Sequence, residues 1–245
     1  MLYAFVVFAV LVTALGILLG SLSAGQTMRT LSDIGLAGTA LIGGVVAVFS
    51  GANLVYKELE KKTVYIIFSK PVTGWQFILG KYLGTSLCLA LVVFAMGAFL
   101  AVALALFNAT VLTERAAGFL WLISRSILLV YLELLFVTAM ATFFSTFTTP
   151  VMSVLFTSSL WLIGHFGQSL RDIGRLSENP AITQFFNMLY WVLPDLASLT
   201  RFRSDLLHGQ ELNMQLIWYL LCYVVAYIVL LLTVAAIITE NREFQ

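Results

Sequence analysis

The stretch ILGKYLGTSLCLALVVFAMGAFLAVALALF, residues 78–107, contains a single charge, Lys81. As a helix it would be about 45 Å long, more than the roughly 30 Å of hydrocarbon in a bilayer. Its residues do not alternate between apolar and polar, as a membrane-barrel strand would. Further apolar runs lie at 2–23, 34–55, 119–146, 150–167 and 214–238, the run at 150–167 being marginal in length. Across all 245 residues, 61% are hydrophobic and 10% charged, against about 45–50% and about 25% in soluble domains. A soluble globule needs more polar cover than that, which excludes a soluble enzyme, a secreted disulfide scaffold and a disordered tail. The chain reads as an all-α polytopic membrane protein, one domain over 1–245 with six transmembrane helices.

Net charge is +1, so no bulk electrostatic argument points to nucleic acid. Cys88 and Cys222 both lie inside apolar runs and form no framework. Residues 1–23 have no basic residue ahead of a run longer than a signal-peptide core, so they read as a retained first span. Six spans place both termini on one side. The basic residues that should orient them divide equally: five lysines and Arg242 on the terminal side, and Arg29, Arg115, Arg171, Arg175, Arg201 and Arg203 opposite.

The loop at 168–212 is more than a connector. Asn179-Pro180 is a good helix start, and the aromatic stretch Phe185 to Leu193 runs until Pro194 stops it. A helix over 180–193 is about 21 Å long, too short to cross and suited to a re-entrant or interfacial position. Asp195 is placed to cap a second short helix, with His208 in its last turn and Gly209 ending it.

Charge is concentrated at YKELEKKTVYIIFSKP, residues 56–71, where Lys57, Glu58, Glu60, Lys61, Lys62 and Lys70 separate the second and third spans. Glu58 and Lys62 stand at i,i+4 in the favourable order, and Val64, Ile67 and Phe68 share an apolar side. Such a segment forms a short amphipathic helix, ended by Pro71. Thr73 then caps the next helix, with Gln76 three residues on and Val72 and Phe77 as a hydrophobic staple. A helix from Gly74 to Phe107 is about 51 Å long and projects beyond the bilayer. The segment reads either as a basic loop anchoring two spans or as a docking surface for a soluble partner.

The run Glu58, Thr63, Ser69-Lys70-Pro71-Val72, Phe77 and Leu79-Gly80-Lys81 resembles the cytoplasmic coupling segment of ABC-2 type transporter permeases. The similarity is greatest to the branch serving nitrous-oxide reductase maturation and gliding motility. Leu193-Pro194-Asp195-Leu196 resembles that family's extracellular turn, and Arg242-Glu243-Phe244 its C-terminal end. Family members usually open with an amphipathic elbow helix. Here the first span starts at once, so either this branch dispenses with the elbow or the recorded start is late.

The resemblance implies the ABC-2 exporter fold, with a coupling helix in 56–73 and an extracellular or re-entrant segment at 168–212. It implies an ATP-binding cassette ATPase subunit as partner, a second permease copy, membrane lipid and room for a periplasmic accessory protein. No cofactor is expected on this chain; ATP and magnesium belong to the ATPase. The lysine loop and both termini are then cytoplasmic, in a bacterial inner membrane. Glu58, Glu60, Thr63, Pro71, Gly80 and Lys81 become the ATPase-coupling candidates. Gly74 to Lys81 only superficially suggests a phosphate loop: five residues separate its glycines, and Tyr82 stands where Ser or Thr belongs.

Glu133 lies mid-span among apolar neighbours, where an ionisable residue is costly and faces protein or water. It reads as a pathway residue or as a structural glutamate bonded to a neighbouring helix. Arg125, about 12 Å away on the same helix, is better placed to snorkel outward. Ser153, Thr157, Gly164 and Gln168 fall near one face of the fifth span and either line a translocation surface or bond helices together. His165, near that span's outer end, reads as a pathway residue or an interface hydrogen-bonder. Gly35, Gly38, Gly43, Gly44 and Gly51 in the second span permit close helix contact, within the subunit or across a dimer. An intramembrane protease is excluded by the absence of a Gly-x-Ser-Gly nucleophile, and two histidines give no metal-peptidase motif. Catalytic and metal-binding residues are therefore not expected. The function implied is export or extraction of a hydrophobic or amphipathic substrate, the alternative being a non-transporting scaffold or mechanotransmission subunit of an ABC-type complex.

Overall fold

The computed structural model describes residues 27–53, 74–107, 115–166, 195–207 and 214–243, with Ala14, Leu18, Asp172, Thr183, Gln184 and Met188 as isolated positions. Within them lie six α-helices and no strand: α1 (Thr27–Ala52), α2 (Gly74–Phe107), α3 (Arg115–Ser145), α4 (Pro150–His165), α5 (Leu196–Leu207) and α6 (Met214–Glu243). Four contain a segment long and apolar enough to cross a membrane: Thr30–Ala52, Gly74–Ala105, Trp121–Ser145 and Trp218–Glu240. The expected first span at 2–23, the coupling segment 56–73 and the helix expected over 180–193 lie outside the described residues apart from those isolated positions.

α1 begins seven residues before the apolar run expected at 34–55. Hydropathy marks the part of a helix that suits hydrocarbon, whereas the polar Thr27–Asp33 turns continue the same helix beyond it. Its other end closes at Asn53, whose side-chain amide donates to the Phe49 carbonyl at 2.8 Å. α4 is an apolar helix of 16 residues, about 24 Å long and so shorter than the hydrocarbon layer. Thr149 at its N-cap is extended, and Pro150 occupies the first turn, where a missing N–H costs nothing.

α3 is the axle. It packs against each of the other five helices, and 61% of its apolar window is buried, against 22% for α6. Leu134, Phe136, Val137 and Met140 of α3 form the centre of the core with Val48 of α1 and Val93 of α2. Glycines let α1 come this close: a Cβ at Gly43 would collide with Leu134, and one at Gly51 with the Ala141 Cβ. In the described helices these small residues therefore serve contacts inside the subunit.

Polar side chains fasten the same helices where hydrocarbon offers no alternative partner. Tyr82 donates to the Leu135 carbonyl at 3.2 Å, and Tyr131 returns a bond to the Ser86 carbonyl at 3.1 Å, locking α2 to α3. Ser145 donates to the Ala52 carbonyl at 3.0 Å, tying the end of α3 to the end of α1. Gly74 opens α2 directly against Glu240 near the end of α6. The ends that flank residues 54–73 are thus both clamped to neighbouring helices.

Candidate functional site

A buried carboxylate in the middle of α3 gathers the site. Glu133 is 1% exposed, and its Oε1 accepts a hydrogen bond from the Trp161 indole N–H at 3.2 Å. His165 Nε2 lies 3.2 Å from the same oxygen. Trp161 and His165 are one turn apart on α4, so both reach α3 from one face. Room for the indole comes from α1, where a Cβ at Gly44 would collide with the Trp161 ring.

The proton inventory follows from the partners. His165 Nδ1 is 2.9 Å from the Trp161 carbonyl oxygen, which can only accept, so Nδ1 carries a hydrogen. The Nε2–Oε1 contact then needs a second proton, on either the imidazole or the carboxyl. In both arrangements the Glu133–His165 pair is neutral overall and holds two protons. A neutral pair is what a low-dielectric interior tolerates.

Arg203 of α5 adds a cation to this group, close enough for its charge to interact with Glu133 and Asp33. Burial pulls its pKa below the usual guanidinium value, and those two carboxylates push it back up. α5 is positioned by its cap: Asp195 accepts from the Ser198 N–H at 3.1 Å and from the Ser198 hydroxyl at 2.6 Å. Its buried face comprises Leu196, Leu199, Phe202 and Leu206. His165 is partly open, its side chain 30% exposed, whereas that of Glu133 is 2% exposed. The cluster therefore gathers α1, α3, α4 and α5 where the short α4 ends, closed at Glu133 and more open at His165.

Of the residues singled out from the sequence, Glu133 and His165 come together. Ser153 and Thr157 lie elsewhere on α4, on its buried face with Gly164. The Ser153 hydroxyl donates to the Ala141 carbonyl at 3.1 Å, a bond between α4 and α3. The Thr157 hydroxyl is buried without a partner among the described residues. Gly80 faces open space on α2, and the Lys81 ammonium sits 5.8 Å over the Phe77 ring. Glu58, Glu60, Thr63, Pro71 and Gln168 lie outside the described residues. Gly74 to Lys81 is continuous helix, which precludes the phosphate-loop geometry there. No group of three or more His, Cys, Asp or Glu among the described residues is placed to hold a metal.

Trp161 and Arg203 were not anticipated. Trp161 reads in sequence as an ordinary interfacial aromatic. Arg203 had a usable signal: Leu196, Leu199, Arg203 and Leu206 follow a helical stripe, so the charge falls on the apolar face.

A family model described as ABC-2 family transporter protein matches residues 1–243. The chain belongs to that family. A search of curated proteins finds no match. Family and apolar helices together make this ABC-2 protein a multi-pass membrane protein.

Proposed function

We propose that the chain is a permease subunit that pairs with a second permease copy and with a separate ATP-binding cassette ATPase. The observation that carries this reading is the family match over 1–243, and the clamped helix ends explain how it would work. The segment 54–73 joins Ala52, held by Ser145, to Gly74, which abuts Glu240. A force on that segment has direct routes into α1, α2, α3 and α6. ATP binding in the partner can bias two membrane states only through contacts that differ between them. Glu58, Glu60, Thr63, the Pro71 turn, Gly80 and Lys81 are the proposed contacts, and ATP and magnesium act in the partner. The segment and both termini then face the cytoplasm of a bacterial inner membrane. The transported molecule is hydrophobic or amphipathic, with the Glu133–His165 cluster receiving its polar part. Charge reversal of Glu58 and Glu60 should abolish ATPase association without affecting membrane insertion. Unchanged co-purification and ATPase activity in the double variant would refute the docking assignment.

A second reading, a scaffold that transmits force without moving cargo, is favoured by one observation: the Glu133 Oε1 is already engaged within the subunit. Reconstituted vesicles distinguish the two. ATP hydrolysis with cargo movement supports the permease, and hydrolysis without movement of any tested amphiphile supports the scaffold.

A further inference from the structure

Eight residues before Glu133 on α3 stands an arginine that the Glu133 cluster does not use. Arg125 lies one helical turn, about 6 Å, inside the candidate span that begins at Trp121. Its guanidinium carbon sits 3.2 Å from the centroid of the Trp121 ring. Trp121, Ser124 and Leu128 on the same face are all exposed, Trp121 at 54%. The Ser124 hydroxyl donates back to the Trp121 carbonyl at 2.8 Å, its oxygen remaining on that exposed face. Arg125 makes no ion pair among the described residues, so its positive charge is not neutralised there by a carboxylate.

A tryptophan at the start of a span marks the headgroup level, and an arginine one turn deeper extends its charge back towards it. Stacking on the indole uses the flat face of the guanidinium and leaves its N–H edge available. The chemistry that fits such an edge is a phosphate, which a guanidinium binds through two parallel hydrogen bonds. At that depth the phosphates belong to lipid, and the neighbouring Leu128 offers an apolar surface to an acyl chain. We propose that Trp121 and Arg125 bind the headgroup phosphate of an anionic phospholipid in the leaflet at the Arg115 end of α3. Anionic lipid is favoured because no acidic side chain among the described residues is paired there to receive a choline or ethanolamine ammonium.

This site rests on α3 lying in a bilayer and not on ATPase coupling, so either proposal can fail without the other. The test is native mass spectrometry of the full-length protein in mild detergent with phosphatidylglycerol or phosphatidylcholine. Wild type should retain phosphatidylglycerol in preference, and Arg125→Gln should lose that retention roughly fivefold, the scale of an exposed ion pair. Phosphatidylcholine, which presents the same phosphate but adds an ammonium that cancels its charge, should be retained less than phosphatidylglycerol by wild type and should lose less of that retention in Arg125→Gln. An equal loss of both lipids would overturn the preference for anionic lipid. Inorganic phosphate should not displace the lipid; displacement would assign the site to a free anion and overturn the lipid reading. Equal phosphatidylglycerol retention in wild type and Arg125→Gln would also overturn it. If Arg125→Gln does not fold, Trp121→Leu keeps the charge and removes its platform, and wild-type retention in that variant refutes the pair.

Discussion

Glu133 is held by two side chains from one turn of α4, so its charge and its bonds can be perturbed separately. Trp161→Phe removes one donor to Oε1 together with the outer part of the indole that sits over Gly44. The loss should be about 1 kcal/mol of stability, read as a drop of a few degrees in thermal unfolding of the detergent-solubilised protein. An unchanged midpoint would show that the indole bond contributes nothing. Glu133→Gln retains an oxygen acceptor but removes the site that shares a proton with His165. If the residue serves the pathway, transport falls while assembly persists, and wild-type transport would return Glu133 to a structural role. At this scale the sequence was informative where a residue broke its context, as a glutamate does in an apolar run. The Trp161 contact was hidden because an indole on an apolar helix violates no pattern, and its partner lies 28 residues away.

At the scale of elements, close packing around α3 depends on the absence of side chains on α1. Gly51→Val should cost about 1–3 kcal/mol, because its Cβ would collide with the Ala141 Cβ, an atom fixed to the backbone that cannot rotate aside. Gly84 on α2 faces open space, so Gly84→Ala should be neutral or should stabilise by up to about 1 kcal/mol through helix propensity. Equal effects in the two variants would contradict the packing argument. Asp195→Ala removes the cap of α5 and should cost about 1 kcal/mol, with faster amide exchange confined to Leu196–Leu207. The α5 start was legible because capping is local chemistry carried by Asp195 itself. The early start of α1 was not, since hydropathy registers the solvent a helix prefers and says nothing about where its hydrogen bonds continue. Which glycines faced neighbours and which faced outward also required three dimensions, because Gly51 and Gly84 look alike in a string.

In the whole molecule, 61% apolar composition supplies the spans, while six of the 25 charged residues are concentrated at positions 57–70. That segment links two helix ends that are clamped to their neighbours, and the proposed partner acts there. Membrane class and helical architecture followed from composition because a bilayer admits few solutions for a polar backbone. Partner and cargo did not follow, since coupling chemistry constrains the ATPase surface and leaves the transported molecule free. The most direct test is affinity purification of the tagged full-length protein in mild detergent, beside its Glu58→Lys, Glu60→Lys double variant. The account predicts an ATP-binding cassette ATPase in stoichiometric amount with wild type and its loss from the double variant, both proteins being equally inserted. Recovery of wild type without an ATPase, or of both proteins with the same amount, would contradict it.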